Sequence, residues 1–122
     1  MDNEKSIFAE LINLENELYN HTKYLVNQVS VEDLTEIPII EFRLSELLIL
    51  KSNLDLFLKI NSDYQHYEFT SLISFWEDSF HELKEVIEDD DSNTSWMIER
   101  FDNYSKQHDI VDKMIRNAFG SE

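Results

Sequence analysis

Residues 65–89, QHYEFTSLISFWEDSFHELKEVIED, place large apolar side chains at intervals that alternate between four and three residues. An α-helix turns once every 3.6 residues, so this spacing puts the side chains on one face of a helix. The stretch therefore predicts a long amphipathic helix. Its apolar stripe consists of Phe69, Ile73, Trp76, Phe80, Leu83 and Ile87.

Three further segments repeat this spacing and predict three more helices of similar length. Pro38 falls in the first turn of the second helix, where its missing N–H is tolerated. Asp63 is a suitable N-cap for the third helix, and Asn93 or Thr94 for the fourth. Gly120 suits the end of the fourth helix, because a left-handed C-terminal cap favours glycine. The three segments lie at about residues 4–29, 37–61 and 94–119.

The composition agrees with a helical fold. The chain has 122 residues with one Gly and one Pro, which are too few turn residues for an all-β protein. Apolar residues make up 42% of the chain, enough to build a core despite the charge. Short connections make sequential helices antiparallel neighbours. We therefore predict an all-α, antiparallel up-down four-helix bundle that forms a single domain over residues 1–122.

The net charge restricts the partners that the chain can bind. Asp and Glu number 26 against 10 Lys and Arg, a net charge of −16. Nucleic acids and anionic membranes repel such a chain, so we expect neither as a direct partner. Without Cys, disulfides and thiolate metal sites are excluded. The acidic N-terminus lacks the pattern of a signal peptide. These features together predict a soluble, cytoplasmic protein.

The second helix carries more apolar residues than one core face requires. Its core stripe runs from Ile40 to Leu58, and a second stripe falls on the opposite side of the helical wheel. Either an irregular bundle buries this second stripe, or the stripe is exposed and binds a protein partner or a second copy of the chain. A homodimer is therefore possible. The candidate interface residues are Phe42, Ile49, Leu56 and Ile60.

The end of the third helix and the residues after it form an acidic stretch. Eight acids accompany a single base, Lys84, and four of the acids recur at intervals of four, three and four on the face opposite Trp76. Such a stretch is either a solvated face or a surface for a basic partner. The candidate partner-binding acids are Glu77, Asp78, Glu82, Glu85, Glu88, Asp89, Asp90 and Asp91.

The histidines and carboxylates do not predict a metal centre or a catalytic site. His21 and His108 lie on apolar stripes and are expected to be buried and hydrogen-bonded. Asp78 and His81 have the carboxylate–histidine spacing of helical metal sites, but such bundles need two of these motifs. We expect no catalytic residues, no metal and no cofactor, so the chain is not predicted to be an enzyme.

Two carboxylate pairs nevertheless resemble a known enzyme pattern. Glu82-Leu-Lys-Glu85, followed after thirteen residues by Glu99-Arg-Phe-Asp102, resembles the ExxE…ExxD pattern of MazG-type nucleotide pyrophosphohydrolases. The resemblance covers these four positions and implies that they hold Mg²⁺ for nucleoside triphosphate hydrolysis. On the helical wheel, all four lie opposite the apolar stripes.

The functional hypothesis therefore depends on the acidic stretch and the second apolar stripe. We expect a stoichiometric protein inhibitor, in particular an intracellular immunity protein that neutralises a basic bacterial toxin such as a nuclease. The acids would steer the partner, and apolar anchors such as Phe42 would supply affinity. The alternatives are a phage DNA mimic that blocks a restriction or CRISPR enzyme, a MazG-like pyrophosphohydrolase, and a helical adaptor subunit.

Overall fold

Four α-helices make up the structure. The computed structural model describes residues 2–31, 37–61, 67–89 and 94–119, and within these ranges it contains no strand. The all-α prediction is confirmed, and each predicted helix boundary lies within two residues of the observed one. Asp63, Asn93 and Gly120, which the sequence suggested as caps, lie outside the described residues. The helices are α1 (Asp2–Val31), α2 (Ile37–Ile60), α3 (Tyr67–Asp89) and α4 (Ser95–Phe119).

Each helix contributes one apolar face to a common core. Fully burying a Leu, Ile or Phe side chain stabilises the fold by about 1.5–3 kcal/mol. Trp76 and Tyr104 are the largest of the fully buried side chains. The predicted stripes account for most of this core, with Leu72 and Val86 of α3 buried in addition. The core includes Leu11, Leu18 and Leu25 of α1, Leu47, Leu54 and Leu58 of α2, Phe69, Trp76 and Leu83 of α3, and Met97, Tyr104 and Val111 of α4.

The helices do not share their contacts equally. α3 packs most extensively against α4, while α1 lies against both α2 and α4. α2 and α3 meet at only a few places among the described residues. α2 is therefore held mainly by α1, which leaves much of its surface without a neighbour.

The hydrogen bonds between α1 and α4 establish the relative direction of these two helices. The Tyr19 hydroxyl lies 2.7 Å from Oγ of Ser105, and the Glu15 carboxyl is hydrogen-bonded to Nδ1 of His108. Residue numbers fall along α4 as they rise along α1, so the two helices run antiparallel. The up-down order of all four helices stays a prediction.

The start of α4 places one of its two N-cap candidates, Thr94, at the N-cap position. The backbone carbonyl of Thr94 accepts a hydrogen bond from the N–H of Ile98 at 3.0 Å. An N-cap residue accepts the first bond of the helix in this way, so Thr94 occupies the N-cap position. Among the described helices, none is long and apolar enough to cross a bilayer.

Two isoleucines of α4 test the assignment of the core. Ile115 is 2% exposed, whereas Ile110 is 52% exposed on the same helix. We expect Ile115→Ala to lower the free energy of unfolding by about 2–5 kcal/mol, because it leaves a cavity. Ile110→Ala should change it by less than about 0.5 kcal/mol. Urea denaturation followed by circular dichroism measures both values. Equal losses of unfolding free energy in the two variants would contradict the assignment of Ile115 to the buried face of α4.

Candidate protein-interaction surfaces

The acidic stretch forms an exposed surface along the second half of α3. Glu77, Asp78, Glu85 and Glu88 are exposed, and Glu82 is half-buried. We refer to these five residues as the acidic face of α3. The remaining predicted acids, namely the side chain of Asp89 together with Asp90 and Asp91, lie outside the described part of the chain.

The acidic face of α3 differs from α2 and α4 in how its charge is balanced. On α3, the described ion pair joins His81 to Glu85 at 3.2 Å, and no described acid of this helix contacts a Lys or Arg. On α2 and α4, by contrast, four of the seven acids form ion pairs with cations of the same helix. These pairs are Arg43–Glu46 at 3.9 Å, Lys51–Asp55 at 2.6 Å, Lys106–Asp102 at 3.1 Å and Arg116–Asp112 at 2.8 Å. The other three described acids of these helices, Glu41, Glu99 and Asp109, do not form such pairs.

One turn of α3 brings three potential metal ligands together. Ligand atoms of His81, Glu82 and Glu85 lie within 4.8 Å of one another at the surface. Asp78, which the sequence paired with His81, is not a member of this group. Exposed side chains on a single turn lack the enclosing ligands that hold a structural metal, so this group by itself does not define a metal site.

The carboxylates of the pyrophosphohydrolase pattern are not gathered into one cluster. Glu82 and Glu85 belong to the group on α3, whereas Glu99 and Asp102 are exposed on α4 and do not join it. Asp102 instead forms its ion pair with Lys106. The structure therefore does not bring together the four acids that the resemblance implies as Mg²⁺ ligands.

The second apolar stripe of α2 lies at the surface. Phe42 is 66% exposed, Ile49 61%, Leu56 57% and Ile60 71%. We refer to these four residues as the apolar strip of α2. A row of large apolar side chains at this exposure is typical of surfaces that bind other proteins.

A groove between α2 and α3 connects the two surfaces. It encloses about 360 Å³, and Phe42 of the apolar strip and Glu88 of the acidic face both line it. One bound partner could therefore contact apolar side chains of α2 and carboxylates of α3 together. The side chains that form its walls include Phe42, Leu44 and Leu48 of α2 with Phe80, Lys84 and Glu88 of α3.

A buried polar cluster joins α1 to α4 on another side of the core. Glu15 is fully buried and its carboxyl is hydrogen-bonded to Nδ1 of His108. The His108 imidazole stacks on the Tyr19 ring, with the ring centroids 3.8 Å apart. The second carboxyl oxygen of Glu15 and the hydroxyl of Tyr104 have no hydrogen-bond partner among the described residues.

Burial raises the pKa of two groups in this cluster. Desolvation raises the pKa of Glu15 above its ordinary value of 4.5, although the hydrogen bond and charge of His108 act in the opposite direction. Nearby Asp112 and Asp109 raise it further. The pKa of the Tyr104 phenol is also raised, first by burial and then by the charge of Glu15. Burial thus favours the neutral forms of Glu15 and Tyr104.

Only part of this cluster could be predicted. His108 is buried and hydrogen-bonded as expected, but His21 is exposed, which corrects the sequence-based placement of that residue. Glu15 and Thr22 take the core positions instead. The sequence does contain the alternating spacing of the buried stripe, but two of its five residues are polar, so it does not stand out as apolar. The stripe consists of Leu11, Glu15, Leu18, Thr22 and Leu25.

Trp76 explains why Thr22 is tolerated in the core. The indole N–H of Trp76 donates a hydrogen bond to Oγ1 of Thr22 at 3.0 Å, and the Thr22 hydroxyl donates to the backbone carbonyl of Leu18 at 2.7 Å. Both polar groups are therefore satisfied without water. This contact joins α1 to α3.

Comparison of the chain with protein-family models, with curated proteins and with solved structures found no match. The functional argument therefore depends on the surfaces described above.

Replacing Glu15 tests the protonation of the buried cluster. The folded pKa of Glu15 lies above its unfolded value, so the folded chain holds this proton more tightly. Its contribution to the free energy of unfolding therefore falls as pH rises from about 4.5 to the raised folded pKa, and is constant above it. Glu15→Gln cannot titrate and keeps a hydrogen-bonding group beside His108.

We expect the stability of Glu15→Gln relative to the natural chain to increase as pH is raised from 5 to 7. Urea denaturation at a series of pH values measures this difference. Glu17→Gln, at an exposed position of the same helix, is the control and should show no such trend. A difference for Glu15→Gln that stays constant or falls with pH would contradict the raised pKa.

Proposed function

We propose that this protein is a stoichiometric inhibitor that binds a basic protein through the acidic face of α3. The observation that supports this most directly is the contrast in charge balance between the helices. Four of the seven acids on α2 and α4 have a Lys or Arg partner on their own helix, whereas none of the acids described on α3 has one. A cationic surface would provide the charges that α3 itself lacks.

Holding these acids on one helix costs free energy. Like charges three or four residues apart destabilise a helix by a few tenths of a kcal/mol per pair. Asp78, Glu82 and Glu85 have this spacing. The buried face of the same helix, with Phe69, Trp76 and Leu83, offsets this cost because each buried side chain contributes more than one such repulsion.

Charge would act mainly on the rate and the selectivity of binding. A dense negative surface raises the association rate of a cationic partner and repels anionic ones. The Debye length shortens to about 8 Å at 0.15 M salt, so the rate should fall as salt is added. The groove beside Glu88 offers apolar contacts from Leu48 and Phe80, which salt would not weaken.

Within this class we favour an immunity protein that neutralises a toxic nuclease. Nuclease clefts are rich in Lys and Arg because they bind phosphates. A helix with regularly spaced carboxylates, open to solvent, is complementary to such a cleft in charge and can occupy it without being cleaved. The inhibitor would act by covering the cleft and would itself catalyse nothing.

Two variants of equal charge test this proposal. The α3 amide variant combines Glu77→Gln, Asp78→Asn, Glu85→Gln and Glu88→Gln. The control amide variant combines Glu10→Gln, Glu17→Gln, Glu99→Gln and Asp109→Asn, all exposed positions on α1 and α4. Both change three Glu and one Asp, so the two variants have the same net charge.

The natural chain, the α3 amide variant and the control amide variant are each immobilised and exposed to a lysate of the source cells at low salt. The proteins that each of them retains are identified by mass spectrometry. We expect a basic protein that the natural chain and the control amide variant retain and the α3 amide variant loses. Its purified form should be inhibited at a one-to-one ratio, with an association rate at least tenfold lower for the α3 amide variant. Equal retention by both variants would contradict the proposal.

A further inference from the structure

We infer that the apolar strip of α2 binds the same strip of a second copy of the chain, forming a symmetric homodimer. Phe42 lines the groove beside Glu88, but Ile49, Leu56 and Ile60 do not. The inference therefore stands apart from the proposed function, and either one can fail without the other.

The charge of α2 identifies the occupant. Three acids of this helix, Glu41, Glu46 and Asp55, are matched by three bases, Arg43, Lys51 and Lys59. In a chain of net charge −16, α2 is therefore neutral. The α2 helix of a second copy is equally neutral, so contact between the two strips brings no net like charge into the interface. The remaining charge of each copy lies outside the contact, where salt screens it.

Two of the three cations of α2 are moreover already engaged within the chain. Lys51 is paired to Asp55 at 2.6 Å, and Arg43 lies near Glu46 and 5.4 Å from the centre of the Tyr24 ring. Beside the strip, Lys59 and Glu41 are in no described ion pair, and they carry opposite charges. Two copies can therefore approach through α2 without placing unpaired like charges opposite each other, which contact through α3 would do.

The spacing of the strip is suited to pairing with itself. Phe42, Ile49 and Leu56 are seven residues apart, so they line up along the axis with the repeat of a coiled-coil seam. Exposed Ser45 and Ser52 lie between them, and small side chains allow two helices to approach closely. In a two-fold arrangement centred on Ile49, Phe42 meets Leu56 of the second copy and Ile49 meets itself.

The other charge-balanced helix lacks such a row. On α4, Trp96 and Ile110 are exposed at a separation of fourteen residues, but Asn103 occupies the position between them. Arg100 also lies 5.4 Å from the centre of the Trp96 ring. α2 is thus the helix on which a continuous apolar row and neutral charge coincide.

The length of the strip limits the area that the contact between two copies can bury. Residues 42–60 span about 27 Å of helix at 1.5 Å per residue. Weak specific complexes bury about 600 Å² on each partner and standard ones about 800 Å². One helix from each copy reaches the lower value at most, so we expect a dissociation constant on the order of micromolar.

Sedimentation velocity over a concentration series tests the dimer. We expect the natural chain to pass from monomer to dimer in the micromolar range, and Ile49→Ser with Leu56→Ser to remain monomeric up to at least tenfold higher concentration. Ile110→Ser, which replaces a similarly exposed isoleucine on α4, should dimerise like the natural chain. Circular dichroism confirms that each variant is helical.

A cross-link gives a second, independent test. The chain has no Cys, so Ile49→Cys introduces a single thiol at the predicted two-fold axis. Mild oxidation should convert this variant to a disulfide dimer at least tenfold faster than Ile110→Cys. A natural chain that stays monomeric at high concentration, or equal cross-linking of the two Cys variants, would overturn the inference.

Discussion

Negative charge that no nearby cation balances is the constraint on which the organisation of this protein depends. Four of the seven acids of α2 and α4 are paired within their own helices, while the described acids of α3 form no ion pair with Lys or Arg. α3 can hold them because its other face is deeply buried and packs extensively against α4. The same packing fixes the carboxylates on a rigid helix, so a partner meets them already in place.

The two surfaces divide the molecule into a charged side and a neutral side. α2 packs mainly on α1 and leaves its apolar strip open, while α3 presents its acids beside the groove that the two helices share. In the proposed arrangement a second copy covers the apolar strip of α2, and the acidic face of α3 stays free for the partner. Binding of the partner and self-association would then use different physical interactions.

The polar groups in the core have a different role. Burying the Glu15 carboxyl costs free energy, which the hydrogen bond with His108 offsets only in part, as the raised pKa of Glu15 indicates. The contact joins residues 93 positions apart in sequence. Such contacts stabilise one register of α1 on α4 over others, because a shifted register would leave the carboxyl without its partner.

The fold was predictable because each helix repeats its apolar spacing over many turns. The stripe of α3 and the surface position of its acids both follow from this local pattern. The buried face of α1 was less predictable, because the spacing allows two core stripes. One contains Leu14 and His21, and the other contains Glu15 and Thr22. The second is buried because His108 and Trp76 supply hydrogen bonds from distant parts of the chain, which local spacing does not reveal.

The exposure of the apolar strip of α2 also could not be predicted from the sequence. The spacing of Phe42, Ile49 and Leu56 allowed either a second core face or an open surface. The choice depends on how many helices pack against α2. Only the arrangement of the whole bundle, in which α2 has α1 as its main neighbour, decided between them.

The salt dependence of folding stability tests most directly whether α3 carries the unbalanced charge. The free energy of unfolding is measured at low protein concentration between 0.01 and 0.15 M NaCl, over which the Debye length shortens from about 30 Å to about 8 Å. The account predicts that salt stabilises the natural chain and the control amide variant, and that the α3 amide variant loses at least half of this gain. An equal loss in both variants would contradict it, because the repulsion would then be spread over the whole surface.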